Sequence, residues 1–219
     1  MTVADPTLEF EASLHASGAR FVIGCDEVGR GAIAGPVAVG LSIVDADIGP
    51  HPAGLRDSKL LSEKRREALE PLARAWVRSS AVGMADASEV DEIGIMAALA
   101  LAGRRAFDAL VADRGVLAET VVLLDGSHDW LSGSLGSSAP VVRTRVKADR
   151  DCASVAAASV IAKVHRDRLM IDADALTPGY HWAGNKGYAS AQHYAAIDEL
   201  GPTDLHRRTW LRAPQSALF

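Results

Sequence analysis

Apolar runs and amphipathic segments alternate along the 219-residue chain, and their order predicts an α/β fold. Runs rich in apolar or β-branched residues predict strands near positions 20–26, 36–45, 75–85, 119–125 and 140–147. Residues that favour helix starts predict four helices, beginning at Ser62, at a capping box of Ser88 and Asp91, at Ser154 and at Ser190. The second helix is expected to run to about Ala112, and the fourth to be closed by Gly201 and Pro202. Because strands come early and then alternate with helices, we expect a mixed sheet flanked by helices.

The composition fits one folded unit. With 48% hydrophobic and 23% charged residues, the chain can fill a single core. We expect one domain over residues 1–212, helical from about position 150, a loop around 126–139 and a tail over 213–219. No apolar run is long enough for a bilayer and no signal peptide is visible, so we expect a cytoplasmic protein without a membrane partner. Cys25 and Cys152 are then expected to be buried thiols.

The charge distribution is uneven. The net charge of −5 argues at first against a nucleic-acid partner. Residues 1–139 carry a balance of −8, however, and residues 140–219 carry +3. The C-terminal third can therefore present a basic face although the whole chain is acidic.

Three apolar segments end in acid: "FVIGCDE" at Asp26 and Glu27, "VVLLDG" at Asp125 and "VVRTRVKAD" at Asp149. A lone acid after a strand is usually a turn residue or a helix cap. Three such ends meet at one place if the strands are neighbours, because ligand sites gather at strand ends in α/β sheets. Each pair of carboxylates 4 Å apart would repel by about 4 kcal/mol at an effective dielectric of 20. Shared protons or bound cations must offset that repulsion, and Mg²⁺ or Mn²⁺ prefers such oxygen ligands.

Two divalent ions would balance four carboxylates and could clamp the attacking and leaving oxygens of a phosphodiester. There is a geometric condition, because adjacent residues of a regular strand point to opposite faces. We therefore expect the strand to end or bulge at Asp26 and Glu27, with Gly29 and Gly31 permitting the departure.

A dinucleotide-binding loop is an alternative for the same stretch. "GRGAIA", from Gly29 to Ala34, matches the glycine pattern of such loops, and Asp45 and Asp47 follow at a suitable distance. That loop must open a helix, whereas here it runs through Pro36 into another apolar, strand-like run. Two carboxylates just upstream would also repel a pyrophosphate, so we set this alternative aside.

The motifs resemble those of the ribonuclease HII family. "GCDEVGRGAIAGPVAVG", "LRDSKLLSEKRRE", "LLDG", "ASVAAASVIAKVHRDR" and "NKGYASAQHYAAIDELGPTDLHRRTW" occur in family order from about Phe21 to Trp210. The resemblance implies an RNase H-like fold, with a five-stranded mixed sheet, flanking helices and a helical C-terminal part. It implies a two-metal endonuclease, with Mn²⁺ or Mg²⁺, that hydrolyses the RNA strand of RNA–DNA hybrids. It also implies cutting 5′ to ribonucleotides embedded in duplex DNA, which leaves 5′-phosphate and 3′-hydroxyl ends.

The resemblance also assigns residues. The family's four acids fall on Asp26, Glu27, Asp125 and Asp149, its Gly-Arg-Gly falls on Gly29, Arg30 and Gly31, and its substrate-sensing tyrosine falls on Tyr188. The family often has glycine before the fourth acid, where this chain has Ala148. Basic residues in the matched segments are candidate phosphate contacts: Lys59, Lys186, Lys163, Arg166, Arg207 and Arg208.

The tail "QSALF" resembles the peptide by which bacterial repair proteins bind the sliding clamp, with Gln215, Leu218 and Phe219 at the matching positions. A tail folded back onto the domain, or a chance pentapeptide, remains the alternative. For the whole chain, a related two-metal nuclease with another substrate and a non-catalytic nucleic-acid-binding relative are the alternatives to ribonuclease HII. We expect a monomer.

Overall fold

The computed structural model describes residues 5–114, 118–136 and 139–211. Its sheet has five strands in the order β3-β2-β1-β4-β5. The strands are β1 Phe21–Val28, β2 Val37–Asp45, β3 Ser79–Ala85, β4 Thr120–Asp125 and β5 Val141–Arg145. β2 runs antiparallel to β1 and β3, whereas β4 runs parallel to β1 and β5. The expected five-stranded mixed sheet is confirmed.

Helices flank the sheet. They are α1 Glu9–Ala16, α2 Glu63–Trp76, α3 Ala87–Ile93, α4 Ile95–Arg114, α5 Ser132–Leu135, α6 Ala148–Asp151, α7 Ala153–Leu176, α8 Trp182–Asn185 and α9 Ala191–Leu200. Short 3₁₀ turns cover Ser58–Leu60 and Arg208–Trp210. Among the described residues, no helix has both the length and the apolar character needed to cross a bilayer.

Two predicted helix starts are confirmed. The hydroxyl of Ser62 accepts the N–H of Arg65 at the start of α2. The hydroxyl of Ser190 accepts the N–H of His193 at the start of α9, which Gly201 closes with a φ of 76°. Side-chain oxygens at these positions satisfy N–H groups that the helix itself leaves unpaired.

Other boundaries were predicted wrongly. The capping box before α3 is formed by Asp86 and Glu89, not by Ser88 and Asp91, and Gly94, at a φ of 77°, divides the predicted long helix into α3 and α4. The third strand begins at Ser79 rather than near 75, because α2 continues to Trp76. The α7 helix begins at Ala153, one residue before its predicted cap.

The core lies on both faces of the sheet. Ile23 and Cys25 of β1 pack with α4 residues such as Leu99 on one face, while Val22 packs with α7 residues such as Val155 on the other. Gly24 shares the α7 face, and a Cβ there would lie 2.3 Å from the backbone of Ser154. The absence of a side chain at position 24 therefore lets α7 lie directly against β1, beside the end of the strand that carries the acids.

Candidate active site

Three carboxylates meet at one end of the sheet. Asp26, Asp125 and Asp149, here called the acid cluster, each offer an oxygen within 4.8 Å of the others. Two of them are neighbours because β1 and β4 are parallel, with Cys25 opposite Leu124 in the last paired position. The next residue of each strand is an acid, so the carboxylates of Asp26 and Asp125 lie side by side at this end of the sheet.

Asp149 comes from the short helix α6. Lys147, in the left-handed conformation with a φ of 63°, turns the chain after β5 and begins that helix. The backbone N–H of Asp149 then donates to Oδ1 of Asp125 at 3.3 Å. This contact joins the start of α6 to the end of β4.

Asp26 is the most deeply placed acid. It is 1% exposed, and its buried Oδ2 atom has no hydrogen-bond partner in the part of the chain that the structure describes. Burial, together with the neighbouring charge of Glu27, raises its pKa well above the ordinary value. Oδ1 of Asp26 accepts the backbone N–H of Glu27 at 2.8 Å, and Ser159 of α7 donates its hydroxyl to Oγ of Ser58 at 2.9 Å. An unpartnered, desolvated carboxylate oxygen within a set of oxygen ligands fits a hard divalent cation such as Mg²⁺ or Mn²⁺.

Glu27 lies beside the acid cluster but outside it. The expected end or bulge of the strand at Asp26 and Glu27 is wrong, since β1 and β2 stay paired residue for residue through Val28, opposite Ala38. Regular alternation directs Asp26 to the α7 face of the sheet and Glu27 to the α4 face. Burial raises the pKa of Glu27, although Arg30, whose guanidinium is 3.7 Å from Oε1, lowers it. Pairing of β1 with β4 ends at Cys25, so Asp26 and Glu27 both lie beyond the last β1–β4 pair.

Lys59 contacts the acid cluster. Its Nζ is 3.2 Å from Oδ2 of Asp149, and its side chain is 65% exposed. Burial lowers the pKa of Lys59, but the charges of Asp26, Asp149 and Asp57 together raise it above its ordinary value. Asp57 begins the 3₁₀ turn by accepting the N–H of Lys59 at 2.9 Å. One ammonium cannot balance the acids around it, and the formal charge of the site stays negative.

The glycine loop after β1, residues 29–36, contains two positions that require glycine. Gly29 has a φ of 81°, and a Cβ there would lie 2.1 Å from Nε of Arg166; Gly35 has a φ of 80°, and a Cβ there would lie 2.3 Å from Sδ of Met170. Gly31 has no positive φ and nothing within 4 Å of a Cβ, so neither of these constraints acts on it. Arg30 and Gly31 are exposed beside Glu27.

Tyr188 lies close to this loop. The tyrosine is 37% exposed, and its ring centroid is 5.9 Å from Nζ of Lys163 and 5.6 Å from Cζ of Arg166. Lys186, two residues earlier, is buried, and its ammonium binds Glu63 at 3.2 Å and the carbonyl of Ala183. A phosphate contact by Lys186 would have to compete with that ion pair.

Two expected phosphate contacts have a different role. Arg166 and Arg207 are both 0% exposed and donate to backbone carbonyls, so the prediction of surface contacts was wrong for them. The signal for Arg166 was present in the sequence, because it stands four residues from Ala162 and from Met170 on the buried face of α7. The expected clamp-binding residues Gln215, Leu218 and Phe219 lie outside the described residues.

Comparison with known proteins identifies relatives over most of the chain. The family model for Ribonuclease HII matches residues 23–213. The chain is 45% identical to Ribonuclease HII of Streptomyces griseus over 96% of its own length and 86% of the relative's. It is 40% identical to Ribonuclease HII of Thermus thermophilus, and that alignment covers 90% of this chain and 89% of the relative.

Solved structures share the fold. Ribonuclease H2 from Pyrococcus horikoshii is 25% identical, with a TM-score of 0.63, and the alignment covers 87% of this chain and 93% of that one. Bst-RNase HIII, solved in complex with Mn²⁺, is 24% identical, with a TM-score of 0.70 and coverage of 90% and 69%. The RNase H-like fold class predicted from the sequence is thereby confirmed. The chain belongs to the ribonuclease HII family and is a ribonuclease H hydrolase.

Proposed function

We propose that this ribonuclease H is a metal-dependent endonuclease that hydrolyses the RNA strand of RNA–DNA hybrids and cuts 5′ to ribonucleotides embedded in duplex DNA. The products would carry 5′-phosphate and 3′-hydroxyl ends, which suits ribonucleotide removal and the removal of RNA primers. The observation that carries the proposal is the acid cluster, which includes a buried oxygen of Asp26 that has no hydrogen-bond partner among the described residues.

The acids would hold two divalent ions, Mn²⁺ or Mg²⁺. Asp26, Asp125 and Asp149 would ligate them directly, and Glu27 would complete the set from the edge of the site. Bound divalent ions lower the pKa of an attacking water and stabilise the charge on a leaving oxygen. The burial of Asp26 and the hydrogen bond from the N–H of Glu27 to its Oδ1 keep that carboxylate oriented before any ligand arrives.

Lys59 would exchange partners during binding. In the structure it neutralises part of the acid cluster through Asp149. A divalent ion would repel the ammonium and satisfy the same carboxylate. The released side chain, which is largely exposed, would then be free to contact a substrate phosphate.

The loop and the tyrosine would recognise the ribose. Distinguishing RNA from DNA at one nucleotide requires contact with a 2′-hydroxyl. The exposed backbone at Arg30 and Gly31 has no bulky Cβ at position 31 to keep a sugar away. Tyr188, which is 37% exposed, lies close by and could stack on that sugar.

The test is a DNA duplex that contains one ribonucleotide, labelled on the strand that carries it. We expect one cut 5′ to the ribonucleotide with Mn²⁺ or Mg²⁺, and none with EDTA or on the all-DNA duplex. Cutting of the all-DNA duplex would favour a related nuclease with another substrate. Binding without any cleavage in either metal would favour a non-catalytic relative and contradict the proposal.

The tail is proposed to bind the sliding clamp through Gln215, Leu218 and Phe219. A clamp-binding assay on the full chain and on a variant lacking residues 215–219 tests this, and equal affinity would contradict it. We also propose that the protein acts as a cytoplasmic monomer, for which its two free buried thiols, Cys25 and Cys152, are suited.

A further inference from the structure

Two arginines are completely buried beneath the glycine loop. Arg166 comes from α7 and Arg207 from the segment after α9, and both are 0% exposed. Within the described ranges, no ion pair joins either guanidinium to a carboxylate. A buried cation without a counter-charge costs several kcal/mol, so other groups must stabilise these two.

Backbone carbonyls surround both guanidinium groups. Arg166 donates to the carbonyls of Pro36 at 2.8 Å, Lys186 at 2.9 Å and Ala34 at 3.1 Å. Arg207 donates to the carbonyls of Gly29 at 2.8 Å, Arg30 at 3.0 Å and Gly35 at 3.1 Å. We call the two arginines with these carbonyls the arginine clamp. Five of its six carbonyls belong to the glycine loop.

The clamp determines which way the loop's peptide groups point. The described chain has no cis peptide bond, and in a trans peptide the C=O and the following N–H point in opposite directions. Because Arg207 holds the carbonyls of Gly29 and Arg30 inward, the N–H groups of Arg30 and Gly31 point outward. Both residues are exposed, and within the described part of the chain neither N–H makes a backbone hydrogen bond.

The clamp also joins the loop to Tyr188. Arg166 holds the carbonyl of Lys186, and its Cζ lies 5.6 Å from the tyrosine ring centroid. The carbonyl of Gly187 accepts the N–H groups of Ile33 at 2.9 Å and Ala34 at 3.0 Å. The loop and the tyrosine are therefore parts of one hydrogen-bonded unit, although more than 150 residues separate them in the sequence.

We propose that Arg207 and Arg166 are positioning residues for ribose recognition. Arg207 aims the N–H groups of Arg30 and Gly31 at the 2′-hydroxyl oxygen, and Arg166 sets Tyr188 at a fixed distance from them. The inference rests on the proposed function and deepens it. This positioning requires the several N–H donors of a planar guanidinium group and not only its charge, because one side chain must bind several carbonyls at once.

The charge-conserving variants Arg207→Lys and Arg166→Lys test the positioning role, since a lysine ammonium cannot reproduce the arrangement of the guanidinium N–H donors. The control is Arg168→Lys, two residues further along α7, where an exposed arginine binds Glu67. Binding is measured with Ca²⁺ in place of Mg²⁺, on duplexes that differ only in one 2′-hydroxyl. We expect the preference for the ribonucleotide to fall at least fivefold in both clamp variants and to change less than twofold in the control.

Mn²⁺ affinity distinguishes a positioning role from a general loss of structure. Mn²⁺ affinity should change less than twofold in the clamp variants, because the acid cluster is held by other residues. An unchanged ribonucleotide preference in both clamp variants would overturn the inference. A wild-type protein that does not cut the ribonucleotide-containing duplex would instead contradict the proposed function itself.

The wild-type protein supplies a test that does not depend on how the variants fold. The amide hydrogens of Arg30 and Gly31 should exchange rapidly in the free protein. They should become protected when the ribonucleotide-containing duplex binds, and less so with the all-DNA duplex. Equal protection by both duplexes, or none by either, would contradict the outward orientation as the basis of recognition.

Discussion

The acid cluster and the arginine clamp are opposite solutions to the same problem of buried charge. The clamp places two cations where water cannot reach them, and fixed carbonyl dipoles stabilise both. The acid cluster places Asp26 in a comparably buried position, yet among the described residues one of its oxygens has no hydrogen-bond partner. The protein itself satisfies the guanidinium groups of the clamp, whereas we propose that a divalent cation satisfies the acid cluster. The difference distinguishes a region that fixes the shape of the loop from the proposed catalytic site.

The largest expected effect comes from breaking the acid cluster. Asp125→Asn keeps the size of the side chain but removes the charge that would hold a divalent ion. We expect the rate of cleavage of the ribonucleotide-containing duplex to fall by about 1,000-fold or more at saturating Mg²⁺. Asp108→Asn, an exposed acid of α4 paired with Arg104, is the control and should keep the rate within twofold. Near-normal activity of Asp125→Asn would contradict the assignment.

Disrupting the arginine clamp should lower the free energy of unfolding and not only affect activity. Arg207→Met removes a hydrogen-bond donor from three loop carbonyls, and each buried acceptor left unsatisfied costs about 1–3 kcal/mol. We expect the free energy of unfolding, measured with urea, to fall by about 3 kcal/mol. Arg208→Met, next in the chain and paired with exposed Asp204, should change it by less than about 0.5 kcal/mol. Equal effects of the two substitutions would contradict the clamp.

Removing a negative charge from the acid cluster should raise the stability of the metal-free protein, whereas breaking the clamp should lower it. Burial raises the pKa of Asp26, so its charged form destabilises the metal-free fold. We expect Asp26→Asn to raise the thermal midpoint of the metal-free protein by a few degrees at pH 7. Asp45→Asn should lower it slightly, because the hydrogen bonds from Arg78 hold the pKa of Asp45 below its usual value. A lower midpoint for Asp26→Asn would show that its charge is already compensated.

The smallest expected effect is a pH dependence in the helical C-terminal part. Burial lowers the pKa of His206 to about 4, and the nearby His193 contributes. The unfolded chain has a histidine pKa near 6.5, so it binds more protons than the folded chain between these values. Stability from this group is therefore present above about pH 6.5 and is lost as the pH falls towards 4.

His206→Asn tests the dependence, since its amide oxygen can still accept the N–H of Thr203. The stability difference between wild type and variant should shrink from pH 7 to pH 5. His128→Asn, in an exposed loop, is the control and should show a constant difference. A difference that stays constant for His206→Asn as well would contradict the assignment.

Sequence patterns predicted the acid cluster better than the clamp, for a physical reason. Asp26, Asp125 and Asp149 each follow an apolar run, and parallel pairing then brings strand ends together. The position of Glu27 could not be predicted in the same way, because the strand pairing continued where a bulge was expected. An arginine in a sequence usually predicts a solvent-exposed side chain. Only the folded loop shows that the carbonyls of Gly29 and Gly35 both accept hydrogen bonds from Arg207.

If the acid cluster requires a divalent cation, calorimetric titration of the metal-free protein with Mn²⁺ will detect its binding. We expect saturable binding to the wild-type protein, with an affinity that is unchanged in Asp108→Asn and at least tenfold weaker in Asp26→Asn and in Asp125→Asn. Equal Mn²⁺ affinity in all four proteins, or no binding to the wild type, would contradict it.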